Sequence, residues 1–413
     1  MRYPIFDVAK PSPAAKVSAV NPGAPEKQSA TDSLSIPQAR DKLLFTPGPL
    51  TTSLSVKQAM LHDAGSWHFE FNDVVARIRE GLLKLAGLSR DSGWEAILMQ
   101  GSGTFGVEAV FQTCVPPNGK VAVLANGAYG ERLAAMLQLA RIDHVVLRSP
   151  ENRPTDPAEL ENLLGRDTAI THVAVVHCET TTGILNPIAQ LGRIAKARNK
   201  IFVVDAMSSF AGMPIDFEGC GIDYLISSAN KCVEGVPGFS FVLCRSDALK
   251  TCEGFARSLS LDLLAQLKGF EKNGQFRYTP PTHAILAFDQ ALRELDLENG
   301  ISGRGRRYAQ NHEVLLRQMG RLGFRPYLDP RVQSHIITAF ITPEDEHFSF
   351  ETFYRKLSER GFIIYPGKLT QVDTFRIGTI GRIFPADLEQ LAHAAGLVLE
   401  EMGCKIPVTY GNG

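Results

Sequence analysis

Short apolar runs alternate with helical patterns through the first two thirds of the chain. The runs cover residues 96–99, 121–124, 172–176, 201–204, 224–226 and 239–244. Runs of this length without polar alternation are typical of strands that are buried on both faces of a sheet. Between them lie helical patterns such as residues 188–198, where apolar residues recur at helical spacing and basic residues gather at the end. Strands that alternate with helices predict an α/β fold with a mostly parallel sheet.

The pattern changes after residue 300. A polar helix is followed by a strand at residues 334–340, an amphipathic helix, strands at residues 362–365 and 375–377, and a last helix. The apolar residues of the two later helices recur at helical spacing, and they are Phe350, Phe353, Leu357, Leu388, Leu391, Ala395, Leu399 and Met402. We predict a large domain at residues 41–300 and a smaller α+β domain at residues 301–413.

The first 40 residues are rich in Pro, Ala, Ser and Lys and carry few bulky apolar side chains. Such a segment buries too little apolar surface to offset the entropy lost on ordering. We therefore expect a disordered tail at residues 1–40, and a folded part that begins with the extended segment at residues 43–49.

Composition and charge restrict the partners of the chain. Among 413 residues, 43 basic and 44 acidic side chains leave a net charge of −1, which argues against nucleic acid and favours small-molecule substrates. No apolar run reaches the roughly 18 residues of a membrane helix, and the N-terminus lacks the order of a secretory signal. The seven cysteines include no C-x-x-C pair, so we expect reduced thiols, no metal site, no membrane partner and a cytoplasmic location.

The first candidate for chemistry is a glycine-rich turn between a strand and a helix. Residues 101–106 match G-x-G-x-x-G, a motif that binds dinucleotides when an acidic residue ends the next strand. That strand ends here at Ala125 and Asn126, so the dinucleotide interpretation is disfavoured. The free N–H groups and dipole of a helix start still favour a phosphate group, and the alternative is a turn selected only for its shape.

Two further candidates follow buried strands. Asp205 ends one strand, where parallel sheets bind their ligands, and Lys231 lies in a short polar loop after a later strand. The alternatives are that Asp205 only caps the next turn and that Lys231 is a solvated surface residue, but Lys231 lies in a short loop of small polar residues between two buried strands. Taken with the phosphate cradle, they supply what pyridoxal 5′-phosphate needs, an amine for its aldehyde and a carboxylate facing its ring nitrogen. Lys231 then also serves as general base and acid.

Arg376 is the fourth candidate. It alternates with Phe375 and Ile377 along a strand, which places the apolar side chains on one face and the arginine on the other. A guanidinium in that position suits a carboxylate substrate, and the alternative is an ion pair across the domain interface.

Several motifs together indicate a family. They are LFTPGPLTT from Leu44, GSGT from Gly101, NGAYG from Asn126, ETTTG from Glu179, VDAMSSF from Val204, SSANKC from Ser227, GVPGF from Gly235, RSLSLD from Arg257, YPGK from Tyr365 and FRIG from Phe375. With these motifs, residues 43–403 resemble the fold-type I, class V pyridoxal-phosphate aminotransferases. Within that family they are most similar to the members that move the amino group of 2-aminoethylphosphonate to pyruvate.

The resemblance implies roles for particular residues and a homodimer. It assigns the cofactor phosphate to Ser102, Gly103 and Thr104, ring stacking to Tyr129, the ring oxygen to Thr180 or Thr181, the ring nitrogen to Asp205, the Schiff-base amine to Lys231, a phosphate contact across the dimer interface to Thr279, and the carboxylate of alanine or pyruvate to Arg376. It also implies two half-reactions that alternate on one cofactor.

The resemblance leaves the amino donor open. Relatives usually continue with Asp after the tryptophan that matches Trp67, whereas this chain has His68 there. The alternative activity is that of an alanine or serine:glyoxylate transaminase of the same class. A desulfurase is disfavoured because Cys404 is the only cysteine of the last domain, and a DNA-binding regulator because the tail is too short and rich in proline.

Overall fold

The computed structural model describes residues 41–367 and 372–410. The predicted tail at residues 1–40 lies outside this part, as does Lys368 of the YPGK motif. From Asp41 onward the chain forms one compact unit, so the division at residue 300 stays a prediction.

The strands of the described residues are short, and most of them lie in the first two thirds of the chain. In chain order they are β1 (Leu43–Leu44), β2 (Trp94–Gln100), β3 (Lys120–Ala125), β4 (Asp143–Arg148), β5 (Ile170–Val176), β6 (Cys178–Glu179), β7 (Ile184–Leu185), β8 (Ile201–Asp205), β9 (Tyr224–Ser228), β10 (Phe239–Arg245), β11 (Ile337–Ile341), β12 (Phe362–Ile363), β13 (Tyr365–Pro366) and β14 (Thr374–Gly378).

Helices connect most of these strands. In chain order they are α1 (Leu54–Gln58), α2 (Phe69–Leu85), α3 (Gly103–Cys114), α4 (Ala128–Leu139), α5 (Pro157–Arg166), α6 (Ile188–Ala197), α7 (Ser246–Lys250), α8 (Leu263–Asn273), α9 (Thr282–Leu297), α10 (Gly300–Arg321), α11 (Phe350–Glu359) and α12 (Pro385–Met402). Within residues 41–367 and 372–410, none of them combines the length and the apolar character that a membrane crossing requires.

A seven-stranded sheet forms the centre of the fold, in the order β2-β10-β9-β8-β5-β3-β4. Only β10 runs antiparallel to its neighbours β2 and β9, which confirms the predicted mostly parallel α/β sheet. β4, at the edge of the sheet, escaped prediction because its apolar run, Val145 to Leu147, is short and flanked by charged and polar residues, and its side chains are half-buried or exposed.

Two apolar cores stabilise the chain. The larger one fills the space between the central sheet and its helices, and it includes the fully buried Trp94, Phe202 and Phe241. The smaller one joins α11, α12 and the sheet β11-β14-β13 around Phe353, Phe375 and other apolar residues of the last third. The predicted apolar positions of α12 lie in this second core, from Leu388 to Leu399. All seven cysteines fall within the described residues and are buried.

The topology fixes where a ligand can bind. β2, β3, β8 and β9 run in one direction, so their carboxyl ends meet at one edge of the sheet. α3 and α4 both start at that edge and lie next to each other. Helix N-termini and loop residues are therefore collected in one place.

Candidate active site

A cavity of about 240 Å³ opens at this edge of the sheet, between the first turns of α3 and α4. It is lined by Ser102, Gly103, Thr104, Val107, Tyr129, Arg132, Leu133, Met136, Asp205, Met207, Ser228, Asn230 and Lys231. The structure therefore brings together six of the predicted residues, those of the phosphate turn, Tyr129, Asp205 and Lys231. A larger groove of about 850 Å³ lies between α2 and α9, but its Arg77 and Arg293 are already paired with Asp289.

The start of α3 forms an uncapped cradle in this cavity. Ser102 is the N-cap residue, and its side chain makes no capping hydrogen bond. The backbone N–H groups of Ser102, Gly103 and Thr104 have no hydrogen-bond partner among the described residues. A side chain at position 103 would collide with the thioether of Met207, so any residue other than glycine would displace that methionine. Free N–H groups at a helix start attract an anion such as phosphate.

Asp205 ends β8 inside the cavity. Its side chain accepts a hydrogen bond of 3.0 Å from the N–H group of Met207, and its other carboxylate oxygen has no partner within the described part of the chain. Burial raises the pKa of Asp205 to about 6, with the nearby Glu179 adding to the rise and the Met207 hydrogen bond opposing it. The group is therefore still mostly a carboxylate at neutral pH, with one oxygen free for a cationic partner.

Lys231 extends into the cavity from the loop between β9 and β10. Its Nζ donates a hydrogen bond of 2.7 Å to the carbonyl oxygen of Pro47. A side chain on Gly48 would lie 2.6 Å from that nitrogen, and the residue has a φ of +123°, so the segment before α1 needs glycine there. Burial lowers the pKa of Lys231 to about 8. A sizeable fraction of the amine is then neutral near physiological pH, which a nucleophile or base requires.

Glu179 is a buried carboxylate that the sequence analysis did not single out. One oxygen accepts hydrogen bonds of 3.1 Å from the N–H groups of Tyr129 and Gly130, and the other accepts from the N–H and hydroxyl of Thr181. A carboxylate at the N-terminus of α4 interacts favourably with the positive end of the helix dipole, and it fixes the backbone of Tyr129. Its position in β6, after a buried strand, is the same signal that identified Asp205.

Thr180 and Thr181 are not among the residues that line this cavity, and of their two hydroxyls only that of Thr181 is hydrogen-bonded within the described residues. The Thr181 hydroxyl donates to Glu179 at 2.6 Å and accepts from the N–H group of Ala128 at 3.0 Å. The Thr180 hydroxyl has no partner among the described residues, while its carbonyl oxygen accepts a 2.7 Å hydrogen bond from Arg376 Nη1. The two threonines thus differ in whether a described residue binds the hydroxyl.

Arg376 lies in β14 and is 2% exposed. Besides Thr180, it donates from Nε to the carbonyl oxygen of Pro366 at 2.9 Å, and its guanidinium lies 5.3 Å from the ring centroid of Tyr365. The described residues give it no acidic partner, which removes the alternative of an ion pair within that part of the chain. Burial lowers the pKa of Arg376.

Thr279 lies outside this cavity. It lines a second depression of about 340 Å³ with Ser66, Trp67 and residues 275–280. The Gln100 side chain donates to the carbonyl oxygen of Tyr278 at 2.9 Å and so ties this loop to the end of β2. Trp67 is 81% exposed, and His68 is the N-cap of α2 without a capping side-chain hydrogen bond.

A cluster of buried ion pairs, here called the α10 cluster, fixes the backbone beside Lys231. It consists of Glu234, Glu298, Arg304 and Arg307. Arg304 also donates to the carbonyl oxygen of Cys232 at 2.7 Å, and Arg307 donates to the carbonyl oxygens of Gly381 and Ile383. The cluster therefore joins the lysine loop to α10 and to the segment after β14.

Comparison with known proteins identifies a family. The model of the class-V aminotransferases matches residues 55–369. A curated 2-aminoethylphosphonate--pyruvate transaminase of Bacillus cereus (strain G9842) is 51% identical over 350 residues, which cover 84% of this chain and 95% of the relative. The relative of the same name from Bacillus cereus (strain Q1) is 50% identical over 360 residues, which cover 86% of this chain and 98% of the relative.

Solved structures share the fold at lower identity. Pyridoxamine-pyruvate aminotransferase from Mesorhizobium loti superposes with a TM-score of 0.80 at 23% identity, covering 90% of this chain and 95% of that chain. Alanine--glyoxylate aminotransferase from Nostoc sp. gives a TM-score of 0.80 at 24% identity, covering 89% of this chain and 97% of that chain. These two likenesses establish the fold.

Proposed function

The chain belongs to the class V aminotransferases, and from this premise we propose that it transfers the amino group of 2-aminoethylphosphonate to pyruvate, giving phosphonoacetaldehyde and L-alanine. One observation carries the choice of substrates, namely the likeness to relatives of that name over almost their whole length. We further propose that the protein alternates between two half-reactions. The second substrate binds only after the product of the first half-reaction has dissociated.

The cavity between α3 and α4 is the proposed site of pyridoxal 5′-phosphate. Its uncapped helix start fits a phosphate group, its free carboxylate oxygen on Asp205 fits a protonated ring nitrogen, and its amine on Lys231 fits an aldehyde. Bound there, the cofactor would supply an aldehyde that takes up an amino group and a ring that accepts electrons. This assignment is supported by the family and by the donor set.

Lys231 is the proposed base and acid of the reaction. It would take a proton from the substrate carbon that bears the amino group and would deliver it to the cofactor carbon that carries the aldehyde, within the same half-reaction. The lowered pKa of Lys231 suits this role, because the neutral amine is populated near pH 8. Pro47 supplies a carbonyl oxygen 2.7 Å from Nζ that steadies the amine when it is free.

Asp205 and Tyr129 are the proposed partners of the cofactor ring. Asp205 faces the ring nitrogen with a carboxylate that stays ionised above pH 6. Tyr129 offers an aromatic face, and the hydrogen bond from its backbone N–H group to Glu179 holds it at the cavity wall. Of the two threonines assigned to the ring oxygen, Thr180 is the better candidate because its hydroxyl is not used by protein.

Arg376 is the proposed binding residue for the carboxylate of pyruvate and alanine. Two of its nitrogens are held by the backbone carbonyls of Pro366 and Thr180, which fixes the plane of the guanidinium. A buried arginine without an acidic partner in the described residues is prepared for an anionic ligand.

We propose a homodimer in the cytoplasm. Thr279 lies away from the cavity of its own chain, so its phosphate contact requires the cavity of a second copy. The exposed Trp67, Leu259 and Tyr278 supply apolar surface that a partner would cover.

A comparison of amino donors tests the proposed substrates. The purified protein is loaded with pyridoxal 5′-phosphate and offered 2-aminoethylphosphonate or serine at equal concentration, with pyruvate or glyoxylate as acceptor. We expect alanine to form from 2-aminoethylphosphonate and pyruvate far faster than any product forms from the other three combinations. Faster turnover of serine with glyoxylate would instead identify the alternative activity of the same class.

A further inference from the structure

The phosphate cradle at the start of α3 consists of neutral donors alone. Ser102, Gly103 and Thr104 offer backbone N–H groups and hydroxyls, whereas a phosphate monoester carries about −1.5 to −2 charges at pH 7. The same cavity also contains the carboxylate of Asp205. Burying a dianion near a carboxylate costs free energy unless a cation lies close by. Charge balance therefore calls for a positive group in the cavity wall.

Among the described residues, two cationic side chains line the cavity, Lys231 and Arg132. Lys231 is committed to the reacting aldehyde in the proposed function, so it does not neutralise the phosphate. Arg132 has no assigned role. Within the described residues no carboxylate lies within ion-pair distance of it, and the adjacent Glu131 pairs with Arg148 at 2.7 Å instead.

The position of Arg132 on α4 directs it toward the cradle. It follows Tyr129 by one helical turn, so both side chains lie on the face of α4 that lines the cavity. Its guanidinium carbon lies 4.7 Å from the centroid of the Tyr129 ring, a cation–π contact that restricts the orientation of the arginine. α3, which carries the cradle, is the neighbouring helix.

We propose that Arg132 binds the phosphate group of the cofactor together with the backbone N–H groups at the start of α3. This inference rests on the proposed function, since it assumes that the cavity holds pyridoxal 5′-phosphate. A guanidinium can bind two phosphate oxygens at once, and its charge balances that of the phosphate. Arg132 thereby adds to the binding of the phosphate and leaves the ring contacts to Asp205 and Tyr129.

The test compares two ligands that differ only in the phosphate. Dissociation constants of pyridoxal 5′-phosphate and of pyridoxal are measured by absorbance for the cofactor-free protein and its variants. We expect Arg132→Gln to weaken the binding of pyridoxal 5′-phosphate by about 10- to 100-fold and to leave the binding of pyridoxal nearly unchanged. Arg132→Lys keeps the charge and should recover part of the loss. Arg148→Gln removes an exposed arginine from the same edge of the sheet and should match the unmodified protein.

Two outcomes would overturn the inference. Equal weakening of both ligands by Arg132→Gln would mean that the arginine acts through Tyr129 or the fold, and unchanged binding of both would mean that it does not reach the phosphate. Competition by inorganic phosphate adds an independent readout, because the inhibition constant should rise in Arg132→Gln and stay unchanged in Arg148→Gln. Failure of the unmodified protein to bind either ligand would contradict the proposed function itself.

Discussion

Two groups of charged side chains lie near Lys231, and they differ in how the charges are paired. In the α10 cluster each carboxylate has an arginine partner, and the four ion pairs have N–O distances between 2.6 and 3.5 Å. The three charges of the cavity, Asp205, Lys231 and Arg132, have no ion-pair partner among the described residues. The two groups are both covered by protein, so burial does not explain the difference.

The pKa values follow the pairing. In the cavity, burial raises the pKa of Asp205 to about 6 and lowers that of Lys231 to about 8, so each charged form is destabilised. In the α10 cluster burial also destabilises the charged forms. There, however, hydrogen bonds with Arg307 lower the pKa of Glu298, and hydrogen bonds with Glu298 and Glu234 raise the pKa of Arg307. Paired charges are thus stabilised in place, and unpaired charges are left available for a ligand.

This difference separates a structural joint from a binding site. The α10 cluster connects the lysine loop to the last third of the chain, and each of its charges has an ion-pair partner within the cluster, although Glu234 Oε2 and Arg304 Nη2 make no hydrogen bond to a described residue. The cavity retains polar groups that no described residue satisfies and that are available to a ligand. The expected effects of substitutions follow from this distinction.

The largest effect is expected for Lys231→Ala. Loss of the proton carrier alone should reduce turnover by roughly 10²- to 10⁴-fold, and loss of the covalent attachment adds to that. Since Lys231 makes no ion pair, thermal unfolding of the cofactor-free variant should occur no lower than in the unmodified protein. Transaminase assays and calorimetry check the two parts, and a clearly lowered unfolding temperature would place Lys231 with the structural charges.

The second effect concerns the α10 cluster. Arg307→Met leaves Glu234 and Glu298 without one of their partners, and we expect the free energy of unfolding to fall by about 3–5 kcal/mol. Urea unfolding measures this loss, with Arg317→Gln as a control because Arg317 pairs with Glu389 at the surface. Equal stability of the two variants would show that the cluster is no structural joint.

The third effect separates charge from shape at Asp205. Asp205→Asn keeps the size of the side chain and removes its charge, so turnover should fall by about 10²-fold while stability is maintained or increased. The comparison variant is Glu298→Gln, in which the same loss of charge should lower stability. If Asp205→Asn instead unfolded at a markedly lower urea concentration, Asp205 would be a structural carboxylate.

The smallest effect is a pH dependence. Below pH 8 the Lys231 amine of the cofactor-free protein gains a proton, so the rate of reaction with pyridoxal 5′-phosphate should fall about tenfold for each further pH unit. Above pH 8 the rate should level off. Stopped-flow absorbance gives the profile, and a midpoint near 10.5, the ordinary value for lysine, would mean that burial does not act on this amine.

Local patterns were sufficient for the central sheet and for the residues at the ends of its strands. Asp205 and Lys231 follow continuous apolar runs, so their place at the edge of the sheet depends on few tertiary details. Edge strand β4 contains only the short apolar run Val145 to Leu147, flanked by charged and polar residues, and its side chains are half-buried or exposed. Glu179 follows a buried strand, as Asp205 ends one, but its contacts with the start of a helix 49 and 50 residues away in sequence are visible only in the folded chain.

The burial of the α10 arginines could not be predicted from local patterns either. A long polar helix is typical of a solvent-exposed surface, and the sequence predicts no more than that for residues 300–321. In the structure Arg304 is fully buried, and it pairs there with Glu234, which follows Lys231 in the same loop. Arg132 likewise gains its place only when α3 and α4 are side by side. Pairing between distant segments is tertiary information.

The most direct test of the proposed site is the identity of the lysine that carries the cofactor. The protein loaded with pyridoxal 5′-phosphate is reduced with borohydride and digested, and the peptide that bears the added pyridoxyl group is sequenced by mass spectrometry. We predict a single label on Lys231, which disappears in Lys231→Ala. A label on another lysine, or no label at all, would contradict the assignment of the cavity.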